Sequence, residues 1–243
     1  MPLLTLLSDF GTRDPFVAEM KAVILGLCPA ATIVDVTHEV APRDVLEGAL
    51  ALARAAPWFP AGTVHVAVVD PGVGSRRAAV ACRAKGQLFV GPDNGLLSLA
   101  VGRAAACHRI EYDDRRAAPT FHGRDVFAPA AARLASGERS LRELGPPHRL
   151  ERLARPRAPH VLGEDRFGNL LLSVRAAAVP RGSRAVRIDG LDAAPLARSY
   201  SDVAAGALLA YRGSSGLIEV AVRDGSASAR LGRAPRGLKV RFE

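Results

Sequence analysis

The sequence predicts a two-domain chain: an α/β N-terminal domain with a mainly parallel sheet, followed by a small C-terminal antiparallel β-barrel domain. Three observations predict this. Strand-like and helix-like segments alternate through the first half of the chain. A proline-rich stretch without periodicity, holding Pro146, Pro147, Pro156 and Pro159, ends that alternation. Beyond it, short apolar runs separated by glycine and polar turns replace the helices. The expected bounds are 1–145 for the α/β domain, 146–159 for a linker and 160–243 for the barrel. A length of 243 residues suits one large or two ordinary domains.

Each element has its own signal. Leu3–Ser8 is an apolar run ending at a turn, SDFGTRD. Phe16, Val17, Met20, Val23, Ile24 and Leu27 then recur on one helical face. Thr32–Val36 reads as a second strand, and Asp44 is placed to cap a helix over Val45–Ala56. Thr63–Val69 is a β-branched strand that runs into DPGVG. Ala79–Ala84 and Leu88–Val90 read as further strands, followed by PDNG and a short helix from Leu96. Arg124–Leu134 is the last expected helix. Helices on both faces of a parallel sheet follow from the alternation. In the second half the expected strands are Val161–Gly163, Leu170–Val174, Ala185–Ile188, Leu208–Tyr211, Leu217–Val222 and Leu238–Phe242.

Composition narrows the function classes. Hydrophobic residues at 49% and charged residues at 23% are globular values, which excludes a disordered, collagenous or coiled-coil chain. The longest uncharged stretch, Ala55–Val69, is broken by Pro57, Pro60 and Gly62, so no membrane span is expected. MPLLTLLSDFG has no basic residue before its apolar run and does not read as a secretory signal. Cys28, Cys82 and Cys107 are widely spaced and match no CxxC pattern. They are expected to be reduced and buried, in a cytoplasmic protein. The net charge of +9 comes from arginines scattered through an alanine-rich chain, with only Lys21, Lys85 and Lys239 as lysines. No nucleic-acid motif accompanies it, so no nucleic-acid partner is expected.

Chemistry-bearing residues fall where the expected parallel strands end, the edge at which such sheets bind ligands. Asp9 and Asp14 flank the first turn. Asp70 follows the third strand, with Arg76 and Arg77 just beyond DPGVGS. Asp93 and Asn94 sit in PDNG. Taken singly, each segment is also ordinary turn chemistry. Neither glycine-rich loop matches a phosphate-cradling motif. His38, His65, His108, His148 and His160 lack metal-ligand spacing, and no metal is expected. His122, in TFHGRDVFAP at the mouth of a helix, can exchange a proton near neutral pH, whereas arginine orients or polarises without releasing one.

Seven segments in order, LLSDFGTRDPFVAEMK, IVDVTHEV, FPAGTVHVAVVDPGVGSRR, FVGPDNGLL, TFHGRD, EDRFGN and RGSSGLIEVAV, resemble the S-adenosyl-L-methionine hydroxide adenosyltransferase family. These are hydrolytic relatives of the fluorinating and chlorinating enzymes that use the same substrate. The resemblance implies a homotrimer, with the ligand between the N-terminal domain of one subunit and the C-terminal domain of its neighbour. It implies attack of water at the ribose 5′ carbon, giving adenosine and L-methionine, with no cofactor beyond the substrate. The family's water-activating set falls on Asp70, Arg77 and His122. Asp9 matches the ribose-gripping carboxylate. Asp14 and Asp165 match acidic groups near the methionine amine, and Asn169 matches the amide that reads adenine. Ser214 and Ser215 match a loop for the methionine carboxylate, with serine at Ser215 where halogenating relatives carry arginine. Trp58, Asp93, Asn94 and Ala227 complete the expected substrate contacts. The aromatic walls around adenine are not evident in the sequence.

A sulfonium leaving group departs as a neutral thioether, so no general acid is needed. The burden lies on positioning a weak nucleophile and taking its proton. A carboxylate, an arginine and a histidine suit water better than a halide. Halide-dependent substitution and a non-catalytic sensor of S-adenosylmethionine or adenosine are the alternatives.

Overall fold

The computed structural model describes residues 1–103, 105–154 and 158–243. Pro156 of the expected linker lies outside the described residues. The chain divides into two compact units, Met1–Ala154 and Arg155–Glu243.

The first unit is built on a six-stranded sheet. Its elements are β1 (Leu3–Ser8), α1 (Phe16–Leu27), β2 (Thr32–Thr37), α2 (Val45–Ala55), β3 (Val64–Val68), β4 (Ala79–Ala84), β5 (Gln87–Pro92), α3 (Ser98–Val101), β6 (Ala106–Arg109) and α4 (Ala128–Ser136). The strand order is β2-β1-β3-β5-β4-β6. β2, β1, β3 and β5 run parallel, whereas β4 is antiparallel to both β5 and β6. Lys85 and Gly86, both at positive φ, form the two-residue turn between β4 and β5. Such a turn matches strand twist and dictates an antiparallel pair, because a parallel one needs a long crossover.

Helices cover both faces, as the alternation predicts. Leu4, Leu6, Val64, Val66, Val68 and Val90 pack towards Val17, Met20 and Ile24 of α1 and the alanines of α4. Leu7, Ala67, Val69 and Phe89 pack on the other face with Ala49 and Leu52 of α2. Strands buried on both sides read as unbroken apolar runs, which is how β1 and β3 read in the sequence. The Asp44 side chain accepts a 3.0 Å hydrogen bond from the Glu47 amide and caps α2 as expected.

Three local readings change. The expected Arg124 helix opens instead as a π-helical turn, Gly123–Phe127, before α4. Pro129 near the start of α4 has no amide hydrogen to continue a regular ladder backwards. The edge strand β6 carried no clear signal because its CHR core is polar and short. Finally, Cys82 and Cys107 are joined in a disulfide, and Cys28 is the free buried thiol, so the expectation of three reduced thiols is overturned. The 25-residue separation gives no clue; the two residues become direct cross-strand partners only once β6 pairs with β4.

The second unit contains β7 (Val161–Glu164), β8 (Leu170–Arg175), β9 (Ala185–Ile188), β10 (Ala194–Pro195), β11 (Leu208–Arg212), β12 (Leu217–Val222), α5 (Ala227–Leu231) and β13 (Val240–Phe242). They form two antiparallel sheets, β11-β12-β8-β7 and β10-β9-β13, over a core of Leu170, Leu172, Val186, Ile188, Leu208, Val220 and Val222. Among the described residues, no continuous ladder closes these sheets into a barrel. Isolated bridges join His160 to Lys239 and Leu196 to Ala210. Among the described residues, no helix is long and apolar enough to cross a membrane.

Candidate active site

Asp9 and Asp93 directly follow β1 and β5, Asp70 lies two residues past the end of β3, and these are adjacent strands in the parallel part of the sheet. The fold thus gathers three carboxylates at one sheet edge, the edge where ligands bind in such sheets.

Asp70, Arg77 and His122 form one hydrogen-bonded chain. The Arg77 guanidinium grips Asp70 through Nε at 2.9 and 3.0 Å, and through a closer contact from Nη2 to Oδ2. The same Nη2 donates to His122 Nδ1 at 2.9 Å. The Arg77 and Asp70 side chains are only 9% and 5% exposed. Arg77 also lies over the Phe127 ring, with its guanidinium carbon 5.2 Å from the centroid. Arg77 Nη1 is buried and has no hydrogen-bond partner among the described residues. A buried donor without an acceptor is costly, so this N–H is a natural anchor for a small oxygen ligand.

Loop chemistry brings the chain together. Ser75 Oγ donates to the Gly72 carbonyl at 2.7 Å and accepts from the Arg77 amide at 3.2 Å, which turns Arg77 back towards Asp70. Gly74 has φ +75°, and a Cβ there would stand 2.7 Å from the Pro119 carbonyl oxygen. Only glycine allows DPGVGS to lie against the segment that leads into His122. On the far side, Asp125 accepts from the Ala118 amide at 2.8 Å. Arg124 joins Asp125 to Glu19 of α1, with 2.7 Å contacts to each.

The electrostatics fix the state of the ring. Burial, and then the Arg77 charge, hold the His122 pKa below its ordinary value, against the opposing pull of Asp70, Asp114 and Asp125. His122 is therefore neutral near pH 7. An arginine can only donate, so Nδ1 is the acceptor and the ring hydrogen sits on Nε2. Tyr112 packs edge-on against His122 with centroids 5.3 Å apart.

The other expected residues divide into those with free polar groups and those engaged within the chain. Asp9 accepts from the Arg43 amide at 2.7 Å. Asp14 is exposed just before α1, and Trp58 is 82% exposed. Asp93 is held by His148 Nε2 at 2.6 Å and the Glu151 amide at 2.7 Å. Asn94 donates to the Val69 carbonyl at 2.8 Å and accepts from the Leu96 amide at 3.1 Å. Asn94 thus steadies the chain immediately before Asp70. Among the expected structural histidines, His65 is fully buried, 2.7 Å from Thr5 Oγ1 and stacked on Phe89.

In the second unit, Asp165 accepts from the Phe167 and Asn169 amides and from the Asn169 side chain, all at 2.9 Å. That turn presents Phe167, which is 76% exposed, beside Asn169, which is 5% exposed. Both line a pocket of about 680 Å³ with Tyr200, Val222 and Arg223. Phe167 and Tyr200 are the two aromatic residues lining this pocket, and neither is evident from the sequence. Neither sits in a periodic pattern, and only the fold sets them around one cavity. Ala227 is fully buried at the start of α5, and Ser214 and Ser215 lie in the β11–β12 turn. Among the described residues no His, Cys, Asp or Glu cluster fits a metal ion.

Residues 4–145 match the SAM hydroxide adenosyltransferase N-terminal domain, and residues 159–237 match the C-terminal domain of the same family. The chain is 43% identical to an (R)-S-adenosyl-L-methionine hydrolase of Thermus thermophilus, covering 97% of each chain. It is 42% identical to an enzyme of the same name from Salinispora arenicola, covering 96% of this chain and 95% of that one. A fluorinase from Actinoplanes is 30% identical over 71% of this chain and 72% of its own. The crystal structure of an uncharacterized conserved protein from Thermotoga maritima superposes with a TM-score of 0.87 at 32% identity, covering 99% of this chain and 100% of that one. The chain belongs to the SAM hydroxide adenosyltransferase family.

Proposed function

We propose that this protein hydrolyses S-adenosyl-L-methionine by attack of water at the ribose 5′ carbon, releasing adenosine and L-methionine. The observation that carries this reading is the buried Asp70–Arg77–His122 chain, whose Arg77 Nη1 has no partner among the described residues. Water accepts from Nη1 and keeps a lone pair for carbon. The C–S bond breaks as the C–O bond forms, and its electron pair neutralises the sulfonium. The new oxygen then gives its extra proton to the Asp70 carboxylate, which passes it to solvent. Within the set, Asp70 is the one group that is purely an acceptor, because His122 Nδ1 is occupied and Nε2 carries hydrogen. The similar hydrolases are named for the R form of the substrate, so we assign the R sulfonium epimer to this chain.

Substrate contacts follow the family pattern. Asp9 grips the ribose hydroxyls. Asp14 and Asp165 face the substrate's positive charge. Asn169 reads adenine between Phe167 and Tyr200, with Ala227 behind. Trp58 packs on the sugar, and Ser214 and Ser215 hold the methionine carboxylate. Asp93 and Asn94 serve by holding the loop that carries Asp70. The active form is a homotrimer in which two subunits serve each substrate, and no further cofactor takes part. Residues 1–145 form the catalytic domain, 146–159 a linker and 160–243 the barrel domain; the bridges at His160–Lys239 and Leu196–Ala210 support the barrel reading. A cytoplasmic location follows from the substrate class, not from the cysteines.

The test is incubation with each sulfonium epimer in oxygen-18 water. Labelled adenosine from the R epimer supports the reading. Unlabelled adenosine, or a 5′-halo product when halide is supplied, overturns it. Light scattering of the purified protein tests the trimer.

A further inference from the structure

Tyr200 lines the aromatic pocket from a single three-residue 3-10 turn, Tyr200–Asp202, and is 39% exposed. An exposed ring on so short a turn needs another restraint if it is to meet a flat ligand in a fixed orientation. Its hydroxyl lies 2.9 Å from the Tyr211 hydroxyl, which in turn donates to Glu219 Oε2 at 2.8 Å. Because Tyr211 spends its hydrogen on the carboxylate, Tyr200 must donate to Tyr211. The chain of hydroxyls therefore has one direction, ending on Glu219.

Glu219 is unusual in its place. It is 5% exposed on β12, directly across from Tyr211 on β11. An apolar pair would satisfy a strand at that position, and burying a carboxylate is expensive unless its oxygens are engaged. Its second oxygen lies under the backbone of Gly213, where an added Cβ would fall 2.0 Å from Oε1. Gly213 opens the turn that carries Ser214 and Ser215. One buried carboxylate thus abuts both the hydroxyl chain to Tyr200 and the serine turn. Burial, with the Tyr200 and Glu219 contacts, also pushes the Tyr211 phenol upward, so it stays protonated as the relay requires.

The geometry points to Tyr211 and Glu219 as positioning residues that orient Tyr200 against a planar nucleobase and hold the serine turn in register with it. This rests on the S-adenosylmethionine reading only for what fills the pocket. Preordering the ring removes part of the entropy cost of binding, so the effect falls on affinity and not on the chemical step.

The test uses Y211F, Y200F, the double variant, E219Q and E219L in the full chain. Y211F and Y200F each raise the calorimetric Kd for adenosine and the KM for the substrate about three- to tenfold, the worth of one such hydrogen bond. In Y211F, kcat stays within about twofold, and the double variant binds adenosine no worse than either single one. E219L also weakens L-methionine binding, while E219Q, which keeps an acceptor, has the smaller effect. A substrate-free readout accompanies these. The chain has three tyrosines, so ring exchange of Tyr200 can be followed by NMR, and Y211F should speed it. Additive effects of Y200F and Y211F, or a lower Tm in Y211F with unchanged adenosine affinity and unchanged Tyr200 ring exchange, would overturn the relay. A wild-type protein that binds no adenosine would sink the functional reading alone, and the ring-exchange result would still decide the relay.

Discussion

Arg77 Nη2 stands 2.9 Å from His122 Nδ1 while the same guanidinium embraces Asp70, so one arginine sets both the tautomer of the histidine and the orientation of the carboxylate. The three side chains act as a unit, and the consequences of disturbing them are specific.

Replacing Asp70 with Asn, or Arg77 with Lys, should lower kcat by about 10²–10⁴-fold with a much smaller change in KM. Lysine keeps the charge but cannot reach Asp70 and His122 with one planar group. Adenosine release followed by chromatography checks this; near-normal kcat in both variants would remove the catalytic assignment.

The pH profile of kcat should fall on the acid side. The His122 pKa lies below its ordinary value, chiefly through burial, so the ring is neutral above about pH 6.5. Protonation at Nδ1 as pH drops places a hydrogen where Arg77 donates and breaks that contact. Above neutrality the rate should be flat until another group titrates. A rate that rises continuously on acidification would contradict this state of the ring.

Stability should also decline in acid, through His65. Burial lowers its pKa to about 4 in the folded protein, with the nearby Gln87 side chain acting the other way. The unfolded chain binds a proton near pH 6.5, so folding is favoured fully above that value and loses this contribution as pH falls from about 6.5 to 4. Melting temperatures measured across that window should drop, and H65Q should flatten the slope.

Gly74 to Ala should impair turnover more than folding. The new Cβ would meet the Pro119 carbonyl at a positive φ, and the loop must move away from the His122 segment. We expect a thermal midpoint lowered by a few degrees, the effect of about 1 kcal/mol, and a kcat loss well beyond that of a surface loop change. A G74A enzyme with full activity would show that the loop contact is dispensable.

Reducing the Cys82–Cys107 bond should destabilise the first unit by about 3.5 kcal/mol on the chain-entropy estimate for a loop of this size. The bond ties edge strand β6 to β4. Thermal melts with and without reductant, beside the C82A/C107A variant, measure it; identical melts would mean that sheet pairing alone holds the edge.

Much of this was legible in order along the chain. Apolar runs named β1, β3 and β8, the Asp44 cap marked where α2 begins, and the loops after β1, β3 and β5 carry the carboxylates that the fold gathers at one end of the sheet. These are local properties, set by backbone preference and side-chain period within a few residues. Which groups touch was decided elsewhere. Asp70 and Arg77 are close in sequence, but His122 joins them only because the glycine at 74 lets one loop lie on another. Cys82 meets Cys107, Asp93 is taken up by His148, and Tyr200 leans on Tyr211 through strand pairing and loop packing that no spacing records. Sequence specifies what each segment can do alone; contacts between distant segments depend on how the sheets align them, and the proposed catalytic set is one of those contacts.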